Sequence, residues 1–159
     1  MNHKIEQIDL KHKLDELSLD LPKQLAFFPE NLESAKSKGE FLFTDNMVDL
    51  KKLFKQSGIN GEVFGEDTEL YLSRKSADIY LPAMFFSLSV ITDNPTVVSI
   101  SLNVLSNYIT DWLKGSFGRK TAQVDFYIET KEKGKVKKLS YKGDADGLKE
   151  VEKIIKAMK

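Results

Sequence analysis

One block dominates the chain. Residues 78–115 read DIYLPAMFFSLSVI, then TDNP, then TVVSISLNVLSNYITDWLKG. No other stretch offers comparable apolar mass, so the core has to be built around it. Residues 79–92 carry no charge. That length is too short to cross a bilayer, and Asp93, Asn94 and Pro95 then interrupt the run. Ser99, Ser101, Asn103, Ser106 and Asn107 pepper its second half. The block reads as two buried core elements, and no membrane span is expected.

The second of these elements is a helix over 95–114. Pro95 sits in its first turn, Val98, Leu102, Leu105, Ile109 and Leu113 recur at spacings of four and three, and Gly115 stands just past the end. Ser101, Asn107 and Asp111 are read as its solvated face. The first element is ambiguous. Pro82 suits the first turn of a helix, whereas Phe85, Phe86, Val90 and Ile91 suit a buried strand; the length, beyond that of an ordinary strand, favours a helix over 79–92.

Elsewhere the pattern is more local. Ile5, Ile8, Leu10, Leu14 and Leu17 among charges predict an amphipathic helix or helical arm over 3–18. Pro29-Glu30 opens a short helix through Ala35 that stops at Gly39, and Phe41-Leu42-Phe43 is a short strand. Asp45 or Asn46 caps a helix whose Met47, Leu50, Leu53 and Phe54 share a face and which ends at Gly58. Residues 59–73 suggest two short strands around the turn at Gly65-Glu66-Asp67.

The C-terminal third is the clearest. Val124, Phe126 and Ile128 alternate with Gln123, Asp125 and Glu129, as in a strand buried on one face. A turn at 131–134 leads to a partner strand over 136–141, with Leu139 and Tyr141 inward. Asp144 or Asp146 then caps a final helix presenting Leu148, Val151, Ile154, Ile155 and Met158 to the sheet, with Lys153, Lys156 and Lys159 complementing its C-terminal dipole.

These elements describe a single α+β domain. Its sheet is small, antiparallel or mixed, covered by helices, and ends in a β-hairpin–helix unit. Residues 1–40 are the candidate N-terminal helical arm or appendage and 41–159 the α+β domain. The chain has 159 residues, 41% of them hydrophobic and 30% charged, enough for one packed core.

Composition also limits the chemistry. With 24 basic and 24 acidic residues there is no global electrostatic reason to expect a nucleic-acid partner. The lack of cysteine removes disulfides, Cys-zinc sites, iron–sulfur clusters and thiol nucleophiles, and suits a reducing cytoplasm. The charged N-terminus has no apolar segment of the kind a secretory signal needs. His3 and His12 are the only histidines and have no local partners for zinc or triad chemistry, so a solvated face explains them better.

Three motifs come close to known sites and fall short. Residues 115–121 (GSFGRKT) have two residues between the glycines where a phosphate loop has four, and they run from helix to strand, the wrong way round. Asp144-Ala145-Asp146-Gly147 begins like a calcium loop but lacks its later oxygen ligands, so helix capping accounts for it. Glu62, Glu66, Asp67 and Glu69 form an acidic cluster, and Lys131, Lys133, Lys135, Lys137 and Lys138 a basic one read as a solvated hairpin edge. No catalytic, cofactor-binding or metal-ligating residue is assigned. Tyr108 and Trp112 lie one turn apart near the end of the long helix, with Phe117 just beyond. Core packing is one reading of them; a half-exposed aromatic anchor for a protein partner is the sharper one.

The order VVSISLNVLSNYITDWLKG, basic turn, AQVDFYIET, KVKKLSYKGDADGLKEVEKIIKAM resembles the effector-associated constant component type of module found in bacterial conflict systems. The likeness covers residues 95–158; the first 94 residues have no counterpart in it, and lysines stand where such modules often carry arginines. It implies a non-enzymatic accessory that couples a separately encoded effector to its regulation, and it contributes no catalytic residues.

The leading expectation is a cytoplasmic protein-interaction or accessory module of a defence or toxin-type system, using Tyr108, Trp112, Phe117 and Lys137 against a protein partner. Two alternatives stay open. One is a small-molecule or nucleotide second-messenger sensor with a pocket between the sheet and residues 79–92. The other is a carboxylate- and metal-dependent enzyme using Glu62, Glu66 or Asp67. Homo-oligomer formation is also open.

Overall fold

The computed structural model describes residues 2–65, 70–72, 78–114, 121–132 and 135–158. Its centre is the pair of strands that the apolar block and the early Leu-Ala-Phe-Phe run make together. β2 (Leu25–Phe28) and β7 (Ala83–Phe86) pair antiparallel and are buried along their whole length. A strand covered on both faces has no reason to alternate, so its sequence is a continuous apolar run that mimics a buried helix. That is why residues 79–92 are not the expected helix. They form β6 (Ile79–Tyr80), a break at Leu81-Pro82, β7, and only then a short helix, α3 (Leu88–Asp93). The Ser87 hydroxyl accepts from the Val90 N–H, and the Glu129 carboxylate accepts from the Leu88 N–H at 2.7 Å, which together cap α3.

Around this centre the described residues form a mixed seven-stranded sheet in which β1 (Asn2–Asp9), β9 (Lys135–Gly143), β8 (Ala122–Glu129), β7, β2 and β4 (Glu62–Val63) are neighbours in that order, with β6 also paired to β8. The C-terminal hairpin, β8 (Ala122–Glu129) and β9 (Lys135–Gly143), is antiparallel as expected, while β8 runs parallel to β6 and β7. β1 (Asn2–Asp9) pairs antiparallel with β9 along eight register positions, from Asn2↔Lys142 to Asp9↔Lys135. The expected helix over 3–18 is therefore a strand followed by the seven-residue α1 (Leu10–Glu16). The spacing of Ile5 and Ile8 satisfies a helix, but the ladder to β9 overrides that local preference. β1 and β2 thus place twelve of residues 1–40, read above as a helical arm or appendage, in this sheet. β1 also moves the edge outward, so the lysines of β9 sit on an interior strand rather than on the hairpin's rim.

One sheet face packs on helices. α4 (Pro95–Leu113) buries Val98, Leu102, Leu105 and Ile109 and packs on α5 (Ala145–Ala157), which buries Leu148, Val151 and Ile155. Ser101, expected on the solvated side of α4, is buried instead; its hydroxyl donates to the Val97 carbonyl at 2.7 Å, which removes the penalty of burying it. Asn107 and Asp111 are exposed as expected. Asp144, not Asp146, caps α5, its carboxylate accepting from the Gly147 N–H at 2.7 Å.

The other face is covered over its centre by aromatic rings under residues 29–41. Phe28 stacks on Phe85 at 5.1 Å between ring centres and meets Phe64 and Tyr127 at 4.9 and 5.2 Å. Residues 29–41 are turns followed by one short 3₁₀ turn (Lys38–Glu40) rather than the expected helix. Asn31 stitches them: its amide donates to the Glu40 carbonyl and its carbonyl oxygen accepts from the Leu42 N–H. Lys138 of β9 and the Tyr127 hydroxyl both reach Glu33, at 2.6 and 3.2 Å, tying this segment to the sheet.

β3 (Leu42–Thr44) runs into α2 (Met47–Gln56), which packs on α4 and ends at Gly58 in the left-handed region. The two strands expected within 59–73 exist as β4 (Glu62–Val63) and β5 (Leu70–Leu72). They do not pair with each other: β4 joins β2 and β5 joins β3, both parallel. Among the described residues, no helix is long and apolar enough to cross a membrane.

Candidate functional site

Three chain segments converge beside the C-terminal half of α4. Asp45 and Asp49 come from the start of α2, Asp78 and Tyr80 from the entry to the sheet at β6, and Tyr108 and Trp112 from successive turns of α4. Together with Thr44, Asn46 and Ile79 they line a pocket of about 310 Å³. Its floor is organised by hydrogen bonds. The Asn46 amide donates to the Tyr80 carbonyl at 3.0 Å while its side-chain oxygen accepts from the Thr44 hydroxyl at 2.6 Å. The side chain that could have capped α2 is thereby spent on holding α2 against β6.

Asp78 is held by its neighbours. It accepts from the Thr121 N–H and the Gln123 amide, each at 3.2 Å, and lies 3.8 Å from Lys142. Thr121 first holds its pKa below the usual aspartate value, with Gln123 and Lys142 adding to the effect against the opposing influence of burial. Asp45 and Asp49 are exposed. Their effect on the site is seen at Tyr108, whose pKa is raised by burial first and then by the charges of Asp49 and Asp45. Negative potential therefore collects where two aromatic rings stand. Trp112 remains 37% exposed.

A site so made suits an organic cation. Carboxylates supply charge-assisted acceptors, and the faces of Trp and Tyr attract a cation through the ring quadrupole. It is ill suited to a phosphate, which the same carboxylates repel. Among the described residues no three His, Asp or Glu side chains are grouped to hold a metal ion.

Of the residues singled out from the sequence, Tyr108 and Trp112 share this pocket. Lys137 does not reach it: it pairs in register with Ile128, five residues along β8 from the Gln123 that contacts Asp78 and Tyr80, or about 16 Å at strand spacing. Phe117 lies outside the described residues, as do Glu66, Asp67, Glu69 and Lys133. Glu62 is on β4, exposed, and away from the pocket. Residues 79–80 and 83–86 are strands of the sheet itself rather than an element packed over it, and Tyr80, Leu81 and Ala83 line a separate pocket of about 370 Å³ with Gln123, Asp125 and Ser140. Asp45, Asp49 and Asp78 were not expected at a site. The four-residue spacing of Asp45 and Asp49 matches that of Tyr108 and Trp112, but nothing in either segment says that they face each other.

Comparison with known proteins returned no matching family model, no matching curated protein and no matching solved structure.

Proposed function

We propose that the protein is a non-enzymatic interaction module that docks a basic segment of a protein partner, with a Lys or Arg side chain entering the pocket between Asp45, Asp49 and the rings of Tyr108 and Trp112. The observation that carries this reading is the pairing of carboxylates with a partly exposed Trp-Tyr pair in one concave site. Aromatic residues flanked by charge are the usual anchors of such contacts. The resemblance of residues 95–158 to accessory modules of bacterial conflict systems points the same way, toward a partner that is a separately encoded effector.

Trp112 is the only tryptophan in the chain, so its fluorescence reports directly on the pocket. Titration with an arginine-containing peptide should change that emission saturably, and an otherwise identical citrulline peptide should not. Added salt should weaken the response, and Asp45→Asn with Asp49→Asn should abolish it while the circular dichroism spectrum stays native. Equal responses to the two peptides, or no response to either, would overturn the proposal.

A further inference from the structure

The outer edge of β1 is the longest open strand edge among the described residues. β1 heads the sheet order and nothing described pairs with its far side. Residues 3–7 and 9 are all exposed, and Ile5 is 45% exposed although it is one of the chain's large apolar side chains. Open edges of this length are normally blunted or filled, because their backbone groups template pairing with another chain.

The phase of the ladder shows which groups are open. The Thr130 N–H donates to the Lys135 carbonyl, so the odd-numbered residues of β9 turn their backbone groups toward β8 and the even-numbered ones toward β1. Through the β1–β9 register, Asn2, Lys4, Glu6 and Ile8 bond to β9. His3, Ile5 and Gln7 therefore turn their N–H and C=O groups outward.

We infer that this edge pairs with the β1 edge of a second copy of the chain, antiparallel about a twofold axis at Ile5, joining two sheets into one. The sequence NHKIEQID is self-complementary about that residue. Ile5 meets Ile5 of the second copy, and His3 and Gln7 face each other, giving three register pairs whose open N–H and C=O groups all find partners. Lys4 meets Glu6 of the second copy, and Glu6 meets Lys4, in the closer non-hydrogen-bonded positions where side chains touch best. Lys4 and Glu6 already share one sheet face, 3.3 Å apart within the strand. Moving the axis by half a residue would pair outward with inward backbone positions, moving it by one would set Lys4 or Glu6 against its own copy, and moving it by two would set His3 or Gln7 against itself; each shift loses both charge pairs. A second copy therefore fits the edge in one register, with apolar contact at the axis and opposite charges either side.

The experiment is sedimentation equilibrium of the full chain over a wide concentration range, with four variants. The native protein should approach twice the 18.1 kDa chain mass as concentration rises. Ile5→Pro removes an outward N–H that the β9 ladder does not use, so it should stay monomeric with a native circular dichroism spectrum. Lys4→Glu and Glu6→Lys each place like charges opposite one another and should each weaken self-association at least tenfold. Mixed together, these two should form a heterodimer, since every charge pair across the axis is then opposite. The double variant Lys4→Glu/Glu6→Lys should restore the homodimer, which keeps the test decisive if one single variant folds poorly. A native chain that stays monomeric throughout would overturn the inference. So would a dimer indifferent to Ile5→Pro, or one in which the complementary variants show no preference for each other.

Discussion

The Glu33 carboxylate ties the irregular segment 29–41 to the sheet, and removing it tests how much that tie contributes. One of its oxygens accepts from Lys138 Nζ at 2.6 Å and from the Tyr127 hydroxyl at 3.2 Å. The Lys138 side chain is only 17% exposed and that of Glu33 44%, and the Lys138 ammonium also lies 5.5 Å from the centre of the Tyr127 ring. The ion pair thus falls between a surface pair, contributing about 0–1 kcal/mol, and a fully buried one, whose rupture costs about 3–5 kcal/mol. A value of about 1.5 kcal/mol is reasonable for it. Tyr127 is 1% exposed, so its hydroxyl, left without an acceptor, adds about 1 kcal/mol, the low end for an orphaned donor because the bond is long. Glu33→Ala should therefore destabilise the protein by about 2–3 kcal/mol, or roughly 5–10 °C in Tm for a chain of this size. Glu33→Gln keeps an acceptor and loses only the charge, so about 1 kcal/mol is expected. Tyr127→Phe removes the donor cleanly and should cost less still. Urea unfolding of these variants and of Glu33→Ala/Lys138→Met would separate the pair energy from the packing of the lysine stem. A Glu33→Ala protein within about 0.5 kcal/mol of native would refute the claim that this contact anchors the segment.

Three further outcomes are expected. A Cβ at Gly147 would run into the Tyr141 hydroxyl, which donates to the Asp144 carbonyl at 2.6 Å; Gly147→Ala should cost about 1–3 kcal/mol in urea unfolding and be partly relieved by Tyr141→Phe. Asp144→Ala should lose about 1 kcal/mol with the N-cap of α5, whereas Asp146→Ala, which caps nothing, should be nearly neutral in the same assay. Stability should also fall in alkali. Burial, with Asp144 and Asp146, pushes the Tyr141 pKa up to about 12, and burial raises Tyr127 and Tyr108 in the same direction. Burial opposes the Lys138 charge, but the Glu33 hydrogen bond with Asp125 and Glu6 outweighs it and raises that pKa as well. In each case the folded chain holds its proton more tightly than the unfolded one, so stability is intact below about pH 10 and declines as pH climbs through the folded values. A Tm that holds level or rises beyond about pH 10 would contradict these shifts.

The elements legible in the sequence are those whose stabilising partners are close in the chain. α4 is marked by Pro95 and by Val98, Leu102, Leu105 and Ile109 along one stripe, α5 by its acidic cap and apolar face, and the β8–β9 hairpin by the alternation of Val124, Phe126 and Ile128 and by the turn after them. Each pattern repeats within a few residues because it tracks the face that the element turns to the helix-covered core. The α+β class and the hairpin–helix unit rest on them. Residues 79–86 mislead because burial on both faces erases the alternation that marks a strand. β1 misleads because its hydrogen bonds go to residues 135–142, more than a hundred positions away, and no local spacing records that.

The pocket divides along the same line. Tyr108 and Trp112 stand out as neighbours on a helix, since their four-residue spacing is a property of the helix alone. That they face Asp45, Asp49 and Asp78 depends on α2 packing against α4 and on Asn46 bonding to the Tyr80 backbone. By itself the sequence determined which segments are apolar, where α2, α4 and α5 start and stop, and that no thiol chemistry is available. Only the tertiary structure decided which strands are neighbours, which edge is open and which charges stand beside which rings. The reason is physical: local periodicity encodes the contrast between core and solvent, whereas the pairing of distant segments is set by long-range hydrogen bonds and packing that leave no period in the chain.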